Sequence, residues 1–196
     1  MDQFLPALPL AGAKVVVVGA GEAALNKLRL FRTAPCELVW ATLGAPHAAP
    51  ADLKADTRIL TQARPRGLFQ NARLVFIGLE DRKTARRLAR KARAAGALVN
   101  VVDDLALCDF YTPAVVDRGA VTVAISTGGS GPVLARDIRS AVESVVAPGV
   151  GLLAQSAAKL RDAVKQRFTT VDERRRFWEQ ALRGDAARQA DGCDGA

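Results

Sequence analysis

Gly19-Ala20-Gly21-Glu22-Ala23-Ala24 fits the pattern G-x-G-x-x-G/A. The first glycine makes a tight turn. The second lets the backbone approach a pyrophosphate, and the small third residue lets a helix pack on a strand. A helix beginning there presents free amides and the positive end of its dipole to phosphates. The motif alone is weak. Here an unbroken β-branched run, 15–18, precedes it, and Leu25, Leu28 and Phe31 follow at helical spacing. Gly19 and Gly21 are therefore expected to hold a dinucleotide; the alternative is a packing turn that binds nothing. A domain of this kind often carries an acid at the end of its second strand for the ribose hydroxyls. Here that strand ends Val39-Trp40-Ala41-Thr42-Leu43. Thr42 can hydrogen-bond a ribose, and no arginine follows directly to clamp a 2′-phosphate. NAD is expected over NADP.

Two further segments carry chemistry. Asn100-Val101-Val102-Asp103-Asp104 ends a strand, and in an open α/β sheet the carboxyl ends of strands face the ligand crevice. Asp103 is placed to act as a general base or to orient a substrate, or else simply to cap a turn. Ser126-Thr127-Gly128-Gly129-Ser130-Gly131-Pro132 is a glycine-rich loop entering a helix. Ser126, Thr127, Gly128 and Gly129 can offer hydroxyls and amides to an anionic substrate, or form an ordinary cap.

The elements that must position these residues alternate. Strands are expected at 14–18, 37–42, 58–60, 73–78 and 97–102, with helices after the glycine turn and over 81–95. This is the signature of an α/β fold with a Rossmann-like parallel sheet. After Asp103 the pattern changes. Short strands at 110–116 and 120–126 flank a turn at 117–119, and a helix over 133–146 follows, with Ser130 as its cap. Pro148 and Gly149 break that helix. An apolar stripe through Val150, Leu153, Ala157, Leu160, Val164 and Phe168 gives another. The sequence Thr170-Val171-Asp172-Glu173 is a capping box for a last helix, with Gly184 near its end. Residues 189–196 are expected to be a disordered tail.

Composition limits the remaining choices. The chain has 196 residues, 49% of them hydrophobic, and a formal net charge of +8. That charge suits a polyanion. Basic clusters lie at 82–93 and 159–176, but aromatics are only 5% of the chain, so nucleic acid is not the expected ligand. Three dispersed cysteines (Cys36, Cys108 and Cys193) and the single His47 indicate neither a disulfide framework nor a resident metal site. No apolar run is long enough for a membrane span, and the first ten residues lack the features of a signal peptide. A cytoplasmic location is expected.

Several segments together resemble the precorrin-2 dehydrogenase module of siroheme synthesis, which occurs as a stand-alone enzyme or as the N-terminal part of multifunctional siroheme synthase. They are 15–24, Asn100 to Asp103, Phe110-Tyr111-Thr112-Pro113-Ala114, 123–136, Leu160-Arg161 and 173–178. The resemblance implies oxidation of precorrin-2 to sirohydrochlorin with NAD as hydride acceptor, and in some members ferrous iron insertion as well. It implies a homodimer acting on a tetrapyrrole. It matches Asp103 to the family's key aspartate, and Glu22, Ala23, Thr42 and Leu43 to positions that line the NAD site. Thr127 stands where some members carry a phosphorylated serine. Leu79-Glu80-Asp81 and Ala34-Pro35-Cys36 depart from the family pattern. The implied division is an NAD-binding domain at 1–109, a small α+β dimerisation region at 110–147 and a helical region at 148–196. A function of another class, a non-catalytic module sensing NAD(H) or tetrapyrrole, is the alternative.

Overall fold

The computed structural model describes residues 3–62 and 64–190. Cys193 and most of the expected tail lie outside the described residues. Contacts divide the chain into two compact units, one running to Pro113 and including Ser126–Gly131, the other comprising Ala114–Ile125 and the chain from Pro132.

The first unit is a five-stranded parallel sheet. Its strands are β1 (Lys14–Val18), β2 (Glu37–Ala41), β3 (Arg58–Leu60), β4 (Ala72–Ile77) and β5 (Leu98–Val101), in spatial order β3-β2-β1-β4-β5. Helix α1 (Glu22–Leu30) follows β1, and α2 (Arg82–Ala94) follows β4. The valine run is explained by burial on both faces. Val15 and Val17 pack with Leu28, Phe31 and Trp40 on one side, while Val16 and Val18 pack with Ala85 and Ala89 of α2 on the other. Asp81 caps α2, its carboxylate accepting from the amides of Lys83 and Thr84. The helix is basic because only its alanine stripe, Ala85, Ala89 and Ala92, is buried.

In the second unit β6 (Ala114–Arg118) pairs antiparallel with β7 (Val121–Ile125). Helices α3 (Pro132–Val145), α4 (Val150–Arg167) and α5 (Val171–Ala190) follow. The bend of 64° between α3 and α4 falls at Pro148 and Gly149. The capping box forms as expected, with the Glu173 amide donating to Thr170 Oγ1 and the Thr170 amide to Glu173 Oε2. Among the described residues no single helix is long and apolar enough to cross a membrane.

Four sequence expectations need correction. The strand expected from residue 110 begins at Ala114. Phe110 is drawn into the first unit instead, its ring against Phe76 at 5.4 Å and its carbonyl accepting from Asn100 Nδ2 at 2.9 Å. Pro113 has no N–H for a ladder. Arg118 belongs to β6, so the hairpin turn is confined to Gly119 and Ala120. Ser130 Oγ donates to the Thr127 carbonyl, and it is Thr127 Oγ1 that accepts from the Gly131 amide. Finally, α5 does not stop near Gly184 but continues to Ala190.

Candidate active site

The glycine turn is built by its neighbours. Gly19 has φ of 124°, and a Cβ there would lie 2.1 Å from the Gly78 carbonyl oxygen. The Gly19 amide donates to the Ala41 carbonyl at 2.9 Å, and the buried Trp40 indole N–H donates to the Gly19 carbonyl at 2.6 Å. The turn is thereby tied to both flanking strands. Ala24, the small third residue, lies against Gly78, whose own Cβ would come 3.0 Å from the Ala24 amide. Gly21 differs from Gly19. It is in extended backbone at the start of α1, no side chain caps the helix, and a Cβ there would meet nothing within 4 Å. This open side, beside an uncapped helix N-terminus, fits a pyrophosphate. Glu22 is turned toward Arg29, with which it forms an ion pair.

A cleft of about 690 Å³ brings Gly21, Glu22 and Ala23 together with Glu80, Arg82 and Asp103. Asp103 stands two residues past the end of β5, is exposed and has φ of 61°, a left-handed conformation that aspartate tolerates better than most residues. Asp104 also lines the cleft, but its carboxylate is occupied. Arg82 Nε donates to it at 2.6 Å and Nη2 at 3.4 Å. The guanidinium holds Asp104 below the usual carboxylate range. Two neighbouring aspartates thus have different chemistry, one free and one paired.

Thr42 and Leu43 do not line this cleft. Thr42 is 1% exposed, and its Oγ1 has no hydrogen-bond partner. Leu43 has φ of 56° and lines a second cavity. The loop from Ser126 to Gly129 also lies outside the cleft lining. Ser126 Oγ donates to Gln3 Oε1 at 2.8 Å. Gly128 and Gly129 have φ of 67° and 80°, and a Cβ on Gly129 would lie 2.9 Å from Leu105 Cδ1.

Two residues near the site were not singled out on sequence. Arg82 entered only as one of a basic cluster, and its partner is far off in the chain. Lys27, on α1, is partly buried, donates to Thr112 Oγ1 at 3.1 Å and sits 5.7 Å from the Phe76 ring centroid. Burial lowers its pKa, and the nearby Asp103 carboxylate opposes that shift. Only the i+3 and i+4 spacing of α1 could have hinted at it. Cys108 accepts from the Val101 amide at 3.2 Å, and burial raises its thiol pKa, so it serves as a packing group rather than a nucleophile. Among the described residues no group of three or more His, Cys, Asp or Glu side chains is arranged to hold a metal ion.

A parallel sheet with a glycine turn and an uncapped helix at its carboxyl edge defines a dinucleotide-binding protein. Residues 7–114 match the family described as "Putative NAD(P)-binding", and the chain belongs to that family. The regions that follow match "Sirohaem biosynthesis protein central" over 118–144 and "Sirohaem synthase dimerisation region" over 149–192. The siroheme synthase of Chromobacterium violaceum is 42% identical over 191 residues, covering 95% of this chain and 40% of that protein. That of Methylococcus capsulatus is 38% identical over 194 residues, covering 97% and 40%. The chain thus spans about 40% of the length of these relatives. Among solved structures, "SirC, precorrin-2 dehydrogenase" shares the fold, with a TM-score of 0.70 at 18% identity over 92% of this chain and 100% of that one.

Proposed function

We propose that this chain is an NAD-dependent dehydrogenase that oxidises precorrin-2 to sirohydrochlorin in siroheme synthesis. The observation that carries this is a cleft lined by both the glycine turn and Asp103, in a chain that matches a putative NAD(P)-binding region followed by two sirohaem regions. When bound, the nicotinamide accepts a hydride from the substrate. The residues supply the rest. The open backbone at Gly21 and the first amides of α1 bind the pyrophosphate, with Glu22 and Ala23 beside it. Asp103, exposed and free of an ion pair, takes the proton that leaves carbon as the hydride departs, or orients the macrocycle. Asp104, already paired with Arg82, does neither. The loop from Ser126 to Gly129 provides amides for substrate carboxylates, and the net charge of +8 attracts a polycarboxylate.

Ferrous iron, as a second substrate, enters the product macrocycle in the bifunctional version of this reading. The protein acts as a homodimer in the cytoplasm and binds no nucleic acid. The proposed division is a cofactor part at 1–109, a connecting part at 110–147 and a helical part at 148–196. Pairing was expected through 110–147, whereas the profile named for dimerisation covers 149–192. The proposed pairing surface therefore takes in both. Val133 and Leu134, 58% and 57% exposed, lie in one, and Leu152, 70% exposed, lies in the other.

The test is direct. Mixing the protein, NAD and precorrin-2 should produce the absorbance of sirohydrochlorin. If folded protein binds NAD but forms no product, a sensing module replaces the enzyme.

A further inference from the structure

Lys27 is a cation that the folded chain covers but does not pair with a carboxylate. It stands one helical turn past Ala23 on the same face of α1, and Ala23 lines the cleft that holds Asp103. We infer that Lys27 and Thr112 together seat a carboxylate of the substrate, which makes Lys27 a substrate-binding residue of the dehydrogenase. This rests on the enzyme reading above and adds a recognition group to that site.

Lys54 shows what a structural lysine looks like in this fold. It is also largely covered, and its ammonium donates to both oxygens of Asp56 at 2.6 and 2.8 Å and to the Cys36 carbonyl at 3.0 Å. Lys27 Nζ donates to the Thr112 hydroxyl at 3.1 Å and lies 5.7 Å from the centroid of the Phe76 ring. Among the described residues it forms no ion pair. A neutral hydroxyl and a ring face do not repay the water lost around an ammonium, whereas a carboxylate does. The acids beyond β5 do not fill the place. Asp104 is held by Arg82 and Asp109 by Arg93, while Asp103 acts on Lys27 by its charge without pairing. Thr112 is carried by a segment fixed to β5. The Asn100 amide donates to the Phe110 carbonyl at 2.9 Å, and Asp109 accepts from the Val99 amide at 2.9 Å. Thr112 Oγ1 accepts from Lys27, so its own hydrogen remains to donate. An ammonium and a hydroxyl this close together match the two oxygens of one carboxylate. The cofactor pyrophosphate is a poorer occupant, because the amides that would bind it begin at Gly21, about 9 Å back along the helix axis.

The experiment compares wild type, Lys27→Met, Lys27→Arg and Thr112→Val as whole chains. Each is melted without ligands, titrated with NAD by calorimetry, and assayed for KM and kcat with precorrin-2 at saturating NAD. Lys27→Met removes a covered, unpaired charge, so it should melt no lower than wild type. Its KM for precorrin-2 should rise about 10- to 100-fold, the range of a lost charge-assisted hydrogen bond, while NAD affinity stays unchanged. Lys27→Arg keeps the charge and should recover most of that loss. Thr112→Val should raise KM less, by about 2- to 10-fold, the range of a neutral hydrogen bond. The inference is overturned if Lys27→Met melts well below wild type, which marks a structural tie, or if its NAD affinity falls in step with KM. Wild-type turnover with an unchanged KM in Lys27→Met overturns this inference alone. A wild type that binds NAD but forms no sirohydrochlorin overturns the enzyme reading and this inference with it.

Discussion

The indole N–H of Trp40 donates to the carbonyl of Gly19 at 2.6 Å in the buried interior, so the second strand holds the turn that follows the first. Trp40 is fully buried, and the His47 ring meets it edge-on at 4.9 Å. Trp40→Phe keeps an aromatic ring but leaves the Gly19 carbonyl buried without this donor. An unmet buried acceptor costs about 1–3 kcal/mol. The variant should unfold at lower denaturant and bind NAD more weakly, with both effects read by urea titration and calorimetry. Wild-type stability would show that the bond contributes nothing.

Gly19 and Gly21 should separate folding from binding. At Gly19 a side chain collides with the Gly78 carbonyl, and φ is left-handed, so Gly19→Ala should lower the melting temperature markedly. At Gly21 an added Cβ meets nothing within 4 Å. Gly21→Val should melt near wild type yet lose NAD affinity by about tenfold or more, the effect of one excluded phosphate contact. Unchanged NAD affinity in Gly21→Val would place the cofactor elsewhere.

Asp103→Asn should keep the fold and NAD binding and lose dehydrogenase activity by roughly 10²–10⁴-fold, the usual scale of general-base catalysis. Asp104 is chemically identical but paired, so Asp104→Asn should release Arg82 and change activity far less. Iron insertion is assayed separately with sirohydrochlorin supplied. Loss of both activities in Asp103→Asn points to one shared site; loss of oxidation alone confines Asp103 to the redox step.

The Arg82–Asp104 pair has a defined pH window. Arg82 depresses the Asp104 pKa, so the folded carboxyl binds its proton less readily than the unfolded one. Its stabilising contribution is complete above the unfolded pKa of about 4 and disappears as pH falls through the lower folded value. The difference in stability between wild type and Asp104→Asn should therefore be constant from pH 8 to pH 5 and shrink only in stronger acid. Urea midpoints across that range measure it. A difference that shrinks near neutrality would assign the effect to another group.

In the second unit, Gly151 of α4 packs where a Cβ would stand 1.6 Å from the Arg118 carbonyl oxygen. Arg118 in turn donates to the carbonyls of Glu143 and Val146 at the end of α3. Gly151→Ala forces hairpin and helix apart and should cost roughly 1–3 kcal/mol. If the second unit carries the pairing surface, the dimer should also weaken, as sedimentation would show.

Much of the first unit was legible from local chemistry. A β-branched run followed by G-x-G-x-x-A and an amphipathic segment leaves few alternatives to strand, turn and helix. β1 lies at Lys14–Val18 as expected, and β4 at Ala72–Ile77 against an expected 73–78. The capping box at Thr170 and Glu173 was legible for the same reason, because all its partners lie within one helical turn. Phe110 was misjudged because β propensity is local, whereas its ring and carbonyl are claimed by Phe76 and Asn100 from other strands.

The sequence by itself determined the alternation of strands and helices, the glycine turn and the presence of an aspartate after β5. Only the tertiary structure decided which of two adjacent aspartates is free, that Thr42 is buried away from the cleft, and that Arg64, Arg66, Arg87 and Lys91 gather beside Leu43. The physical reason is range. Turns, caps and apolar periodicity are settled by neighbours a few residues away. The partner of a charge and the exposure of a hydroxyl depend on which distant segments the packed sheet brings alongside.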